Sequence, residues 1–374
     1  MPELSSKKTN KRRGVIICGS YGHGNAGDEA ILEAIISELR SEAPGREITV
    51  LSRSPEETAA RHGVRSVYKF SPLAVARAML EAKLYINGGG SLIQDVTSSR
   101  SLYYYLGTIA LAKVLGCRVI MYGCGIGPVE KPRNRAIARF VIDRFADSIT
   151  LREDDSLREL RSFGVKRPQV LVASDPALTL APAPPDEVDG CMASLGLDPG
   201  GSYVCVVPRK WPGFEEKAVC FAGCADAVYE RHGLETVFLS IDHKNDALAA
   251  EMIARHMRSP SHIVRGVLPA HLTIGVLARM RAVVSMRLHG LIFSASQGVP
   301  LVGVSYDPKV RAFLHYIGQD SCIDLAELSA ARLISAVEAA LVQWDDTDAL
   351  KARVRRLREL ESINITEALR LLAE

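Results

Sequence analysis

Short apolar runs alternate with helix-length amphipathic stretches from Gly14 to about Leu180, and this rhythm predicts the βαβ units of a parallel sheet. The runs read as buried strands at Val15–Cys18, Ile48–Leu51, Leu84–Asn87, Val119–Tyr122, Ile149–Leu151 and Val170–Ala173. Between the first two, Ile31, Ala34, Ile35 and Leu39 recur at helical spacing behind Asp28 and Glu29, acids suited to a first helical turn. Leu102 to Leu115 is apolar nearly all round, the pattern of a helix buried on every side.

The segment Ala181-Pro-Ala-Pro-Pro-Asp-Glu187 interrupts the rhythm, because each proline lacks an N–H and biases its predecessor toward extended backbone. The pattern then restarts, with strands expected at Tyr203–Val207, Thr236–Leu239, His262–Val264, Ala282–Ser285 and Leu301–Val304. The expected organisation is a basic tail at 1–13, a Rossmann-like α/β domain at 14–180, a linker at 181–187, a second such domain at 188–344 and an amphipathic helix at 345–374. In that helix Leu350, Val354, Leu357 and Leu360 share one side, with Lys351, Arg353, Arg355, Arg356 and Arg358 around the rest. Such a helix either packs on the domains with a solvated charged face or touches an anionic membrane surface.

A length of 374 residues suits two domains, each with its own core. Net charge of +3 makes no case for nucleic-acid binding, which needs a strongly basic face. The eight cysteines are scattered without zinc spacing; Cys220 and Cys224 stand four apart but lack partner ligands, so core packing, no metal site and a reducing cytoplasm are expected. The basic tail has no apolar segment behind its charges, unlike a secretory signal, and no run approaches the roughly 20 apolar residues of a membrane span.

The candidate chemistry lies in three glycine-bearing loops, each directly after an expected strand: Gly22-His-Gly-Asn-Ala-Gly-Asp-Glu29, Gly88-Gly-Gly-Ser-Leu-Ile-Gln-Asp95 and Met286-Arg-Leu-His-Gly290. In open parallel sheets that carboxyl edge binds ligands, because strand ends and helix N-termini leave a crevice lined with free N–H groups. Gly22, Gly24 and Gly27 satisfy the dinucleotide pattern G-x-G-x-x-G. Against it, Asp28 and Glu29 would set two carboxylates on a pyrophosphate, and Leu51-Ser-Arg53 stands where an acid should hold a ribose, although Arg53 would suit NADP. Asn25, Asp28 and Glu29 otherwise suit sugar hydroxyls or general-base work, with plain helix capping as the structural role for Asp28.

Gly89 and Gly90 would let backbone approach a ligand closely, and Gln94 and Asp95 beside them favour a hydroxyl-rich partner. Arg287 and His289 flank Leu288 at a strand-to-helix junction, so both can project into the crevice. Arg152, Arg209, Lys210, Lys309 and Arg311 put further cations at strand ends. Together they imply a small, highly charged anion; singly, Arg209, Arg311 and above all Lys210 read as well as surface charges.

Gly22-His-Gly-Asn-Ala-Gly-Asp-Glu-Ala-Ile-Leu32, Gly88 to Ser98 with Tyr103-Tyr-Tyr105, Gly123-Cys-Gly-Ile-Gly-Pro128 and Arg287-Leu-His-Gly290 together resemble the polysaccharide pyruvyl transferases, most closely the CsaB-type branch that acts on secondary cell-wall polymers of the S-layer-anchoring kind. The similarity runs from Gly14 to about Arg311. It implies a GT-B-like pair of Rossmann domains with the active site between them. It also implies phosphoenolpyruvate as donor and, as acceptor, a sugar such as N-acetylmannosamine on a lipid-linked precursor, converted to a 4,6-ketal of pyruvate without metal or cofactor. In that scheme His289, Asp28 and Arg152 are catalytic, and Arg152, Arg287, His289, Lys309 and Arg209 hold the donor. Asn25, Asp28, Glu29, Gly89, Gly90, Gln94 and Asp95 hold the acceptor.

His23 and Cys124 depart from the family pattern, where an aromatic or other polar residue and a Gln respectively are common, and both bear on acceptor fit. Two other readings differ in class. A nucleotide-sugar glycosyltransferase of the same architecture would need an apolar or aromatic slot for its base. A non-catalytic sugar-binding module would have little use for clustered cations.

Overall fold

The computed structural model describes residues 12–374 apart from 97, 244, 320, 344–346 and the side chain at 308, so the expected basic tail lies almost wholly outside the described residues. The apolar runs of the first half become β1 (Gly14–Cys18), β2 (Ile48–Ser52), β3 (Arg65–Tyr68), β4 (Ala82–Ile93), β5 (Arg118–Ile126), β6 (Ser148–Leu151) and β7 (Gln169–Val172). Those of the second half become β8 (Tyr203–Val207), β9 (Glu235–Ser240), β10 (Ser261–Val267), β11 (Ala282–Ser285), β12 (Leu301–Ser305) and β13 (Cys322–Asp324). The first sheet runs β3-β2-β1-β4-β5-β6-β7 and the second β10-β9-β8-β11-β12-β13, with every pair parallel. Both are the doubly wound α/β sheets expected. The order reverses between β1 and β4 and between β8 and β11, where connecting helices leave on opposite faces and open a crevice.

β3 and β13 escape the hydrophobic pattern for a common reason. β3 reads Arg-Ser-Val-Tyr with no buried position, and β13 has three half-buried residues; an edge strand has one neighbour and less apolar surface to cover. β4 departs in the opposite sense, since Gly88-Gly-Gly90 is no loop. The strand continues through it to Ile93, pairing Gly88 with Tyr122 and Gly90 with Cys124 before its register shifts. Gly89 has φ +60°, and a β-carbon there would stand 2.0 Å from Ile31 Cγ2 on the helix Ala26–Glu42. Close helix-on-strand packing, not a ligand, therefore explains Gly89.

The helix Ser99–Val114 is one-sided rather than buried all round: Leu102, Leu106, Ile109 and Ala112 face the core, while Tyr103 and Val114 are 41% and 72% exposed. The linker is also shorter than expected, because Pro185 opens the helix Pro185–Ser194 with Asp186 and Glu187 in its first turn. A first-turn N–H has no intrahelical acceptor anyway, so proline fits there.

The last helix, Asp348–Ala373, crosses back to the first sheet and packs on β4, β5, β6 and the helix Ala26–Glu42. Leu350, Val354, Leu357, Ile365, Ala368, Leu371 and Leu372 are buried there, and Leu360 is half-buried. Arg353 donates to the carbonyls of Ile317 and Gly318, and Arg358 to those of Leu178 and Ser296. The helix thus binds the two halves together. Among the described residues no helix is long and apolar enough to cross a membrane.

Beneath this helix Glu361 is 1% exposed and shares a hydrogen bond with Glu38, whose other partner is the Tyr122 hydroxyl; Asn364 Nδ2 donates to Glu361 at 3.0 Å. Burial first, then Glu38, holds Glu361 far above the ordinary carboxylate range. The folded state therefore keeps a proton that the unfolded chain releases above about pH 4.3, and stability falls as pH rises from there through neutrality. Glu361→Gln mimics the protonated form. Its melting temperature should match wild type near pH 5 and exceed it increasingly toward pH 8, by roughly 2–4 °C for each kcal/mol regained. A gap that does not widen with pH in thermal denaturation would count against the shared proton.

Candidate active site

The β1-to-helix junction brings its backbone N–H groups to protein partners. Asn25 Oδ1 accepts from Gly27 N at 2.9 Å and Asp28 N at 3.1 Å, Ala26 N donates to Ile241 O at 2.8 Å, and Glu29 N to Asn25 O at 3.0 Å. His243 N donates in turn to Gly24 O at 3.1 Å. No first-turn N–H remains for a pyrophosphate, so the dinucleotide reading fails, and the loop instead clasps the segment after β9. Arg53, its candidate NADP contact, lies over the rings of Tyr68 and Phe70. Asn25 is a cap rather than an acceptor ligand. Glu29 also turns inward: its Oε1 accepts from Gly22 N at 2.7 Å and its Oε2 stands 3.8 Å from His62.

Gly27 has a different use. A β-carbon there would lie 2.0 Å from His289 Nδ1, so glycine is what lets the helix Leu288–Ser296 press its imidazole onto the first helix. His289 Nε2 is buried 3.9 Å from Asp175 Oδ2, with no hydrogen-bond partner among the described residues. Burial pushes His289 down to about 4, against the pull of Asp175 and with the help of Arg152, Lys309 and Arg287. Asp28 sits one residue along, its Oδ1 3.5 Å from where a Gly90 β-carbon would be. Burial, then Glu29, raises Asp28 to about 6, opposed by a Ser20 hydrogen bond and by Lys309 and Lys69. A neutral imidazole and a basic carboxylate thus share one cluster at physiological pH, the pairing proton-transfer chemistry needs.

Two of the expected donor ligands are held by carboxylates of the chain itself. Arg287 is buried, with Nε 3.0 Å and 3.1 Å from the Asp246 oxygens and Nη2 bonded to Asp246 and 3.2 Å from Asp242. Asp246 is fully buried and also accepts from Ile241 N and Asp242 N. Arg152 donates through Nε to Glu153 at 2.7 Å, through Nη1 to Asp175 at 2.9 Å and through Nη2 to Ser91 at 3.0 Å. Three of its five N–H donors are engaged in this way, and the bond to Asp175 holds that carboxylate 3.9 Å from His289.

Lys309 and Arg209 remain as cations of the cleft. Lys309 Nζ lies 3.0 Å from Asp307, and burial lowers its pKa. Arg209 stacks over Trp211 and Tyr306, 5.2 Å and 4.7 Å from the ring centres. Both border a cavity of about 200 Å³ together with Ser91, Gln94, Trp211 and Tyr306. The helix carrying His289 has no side-chain cap, which leaves its first-turn N–H groups for an anion. Arg311 is an exposed partner of Asp324 at 2.7 Å, and Lys210 is exposed.

Of the expected acceptor ligands, Asp28, Gly90 and Gln94 stand at the site. Asp95 does not: it accepts from Glu130 N, Lys131 N and Asn134 Nδ2 at 2.7–3.1 Å, fixing the start of the helix Pro132–Phe145. Burial would raise its pKa, but those bonds outweigh it and hold it below the ordinary range. Cys124 is interior to β5, so its departure from the family pattern lies away from the cavity wall. Sequence reasoning missed Asp175, although Ser174-Asp-Pro176 directly follows an expected strand. It also missed Lys69, which follows the unrecognised β3 and donates to Gly19 O at 2.9 Å among the rings of Phe70, Tyr104 and Tyr105. It passed over Trp211 and Tyr306 too, which stand within a few residues of β8 and β12 but are aromatic where the search was for charges.

Among solved structures, HepE from Anabaena in complex with UDP-glucose is 12% identical, with a TM-score of 0.61 over 96% of this chain and 98% of its own. UDP-GlcNAc 2-epimerase from Neisseria meningitidis, bound to UDP-GlcNAc, is 10% identical, with a TM-score of 0.64 over 95% and 99%. These likenesses show the fold alone, a GT-B-like pair of α/β units. The amylovoran biosynthesis protein AmsJ of Erwinia amylovora is 24% identical over 418 residues, spanning 93% of this chain and 96% of the relative. The model of the polysaccharide pyruvyl transferase family matches residues 25–308, from the asparagine that caps the first helix to the residue before Lys309, and the chain belongs to that family of transferases.

Proposed function

We propose that the protein transfers pyruvate from phosphoenolpyruvate to a sugar with free 4- and 6-hydroxyls on a lipid-linked polysaccharide precursor, closing a cyclic ketal and releasing phosphate. N-acetylmannosamine of a secondary cell-wall polymer is the acceptor we favour. The observation that carries this reading is that His289 packs on Gly27, the neighbour of Asp28 in the first helix, and that both His289 and Asp28 feel the charge of Lys309, in a chain of this family. The uncapped helix at Leu288–Ser296, Lys309 and Arg209 suit the phosphate and carboxylate of the donor. Asp28 takes the proton of the first hydroxyl as its oxygen bonds to C2 and returns it to C3 as the donor's double bond opens, which leaves the carboxylate ionised again. The second hydroxyl then displaces phosphate from C2, its proton leaving with the phosphate by way of His289. The donor is consumed as a substrate and no cofactor enters. We place the enzyme in the cytoplasm, where it would meet lipid-linked precursors at the membrane face.

The test is phosphate release from phosphoenolpyruvate, with and without a synthetic lipid-linked disaccharide ending in N-acetylmannosamine, with mass spectrometry of the sugar. Acceptor-dependent phosphate and a ketal mass gain are expected; an unchanged sugar sinks the acceptor, and no donor binding sinks the donor. The aromatic pair Trp211 and Tyr306, centres 4.6 Å apart, is the feature that favours the second reading, a nucleotide-sugar glycosyltransferase. Nucleoside diphosphate released from a nucleotide sugar in the same assay would support it.

A base that titrates near 6 sets a pH dependence. Asp28 must be ionised to accept a proton, so kcat/KM should rise about tenfold per unit up to roughly pH 6 and level off above it. Asp28→Asn should abolish that limb, and a profile already flat from pH 5 would remove Asp28 from the base role.

A further inference from the structure

Beside the small cavity lies one of about 1020 Å³, and the two share Trp211, Tyr306, Glu153, Asp155 and Asp307 in their walls. The larger one is walled from both halves of the chain: Arg158 from the helix after β6, Tyr316 and Arg311 from the helix after β12, and Trp211 after β8. We infer that this groove holds the neutral saccharide of the acceptor, with Trp211 as its stacking platform; the inference rests on the reaction proposed above.

Three observations point to a glycan. The aromatic wall of Trp211, Tyr306 and Tyr316 offers flat faces whose negative quadrupole attracts the polarised C–H groups on one side of a pyranose. The same wall carries two carboxylate–guanidinium pairs, Asp155 with Arg158 and Asp324 with Arg311, which supply donors and acceptors to hydroxyls. Six Asp or Glu side chains border the groove against three of Lys or Arg, so a nucleotide or lipid diphosphate would meet repulsion there, whereas an uncharged sugar would not. The groove is about five times the volume of the small cavity, room for sugar units beyond the reacting one. It replaces Asn25, Glu29, Gly89 and Asp95 as the surface that reads the acceptor.

The experiment uses the full chain with Trp344→Phe, which leaves Trp211 as the sole tryptophan. Steady-state kinetics with the disaccharide acceptor should show Trp211→Ala raising the acceptor KM about tenfold, equivalent to roughly 1.4 kcal/mol, and by more than it raises the phosphoenolpyruvate KM, because Trp211 also backs Arg209 in the small cavity. Trp211→Phe should restore the acceptor KM. An unchanged acceptor KM, or a rise confined to the phosphoenolpyruvate KM, overturns the inference. Titrating tryptophan fluorescence with the disaccharide alone, without donor, should give a saturable change. That readout is independent of the reaction: a saturable change in a protein that releases no phosphate leaves the groove standing and fells the proposed function. No change with the disaccharide but a change with UDP overturns the groove.

Discussion

Replacing His289 with alanine, or Asp28 with asparagine, is expected to lower acceptor-dependent phosphate release by about 10²–10⁴-fold, the usual worth of a positioned acid or base. The two groups serve one proton-transfer sequence, so the double variant should be little worse than the poorer single one. Gly27→Ala is the sharper probe because it leaves both groups in place. Its methyl would stand 2.0 Å from His289 Nδ1 and must displace the imidazole, so turnover should fall toward the level of His289→Ala. Melting temperatures should separate this from misfolding, since the glycine lies in a first helical turn where alanine is otherwise tolerated. Wild-type turnover in Gly27→Ala would mean that the contact between the two helices is not part of the active arrangement.

Arg287→Ala and Asp246→Ala are each expected to destabilise the fold by about 3–5 kcal/mol, because each leaves its former partner as an uncompensated buried charge. Asp246 is fully buried and Arg287 nearly so, and their bonds tie the end of β11 to the segment after β9. Replacing both together with apolar residues of similar volume should recover much of the loss, as buried ion pairs often contribute little net stability. Chemical denaturation of the three variants measures this directly. If Arg287→Ala instead keeps its stability and raises only the KM for phosphoenolpyruvate, the guanidinium is a donor ligand after all and its tie to Asp246 is incidental.

The contrast between His289 and Arg287 shows where reading the chain succeeds. Both follow β11, and their position alone nominates them equally. What separates them is Asp246, 41 residues upstream, which captures one and leaves the other. Asp95 and Asn25 tell the same story: a polar residue at a strand end has two uses, facing a ligand or capping the next helix, and only the location of the neighbouring N–H groups decides. Gly27 satisfied a dinucleotide pattern for a reason unrelated to nucleotides, since the pattern records close approach without saying what approaches.

The two parallel sheets, most of their strands and the carboxyl edge at which Asp28, Gln94, His289, Arg209 and Lys309 stand were legible in the chain. Those features follow from local periodicity and from the polar residues that end each apolar run, and both are written along the chain. Which charges are engaged, that β4 runs on through its glycines, that the last helix returns to the first sheet, and that Trp211 and Tyr306 wall the cleft all emerge only in the folded chain. Distance separates the two: burial and ion pairing depend on partners far away in sequence, as with Arg287 and Asp246, and the local pattern does not record them.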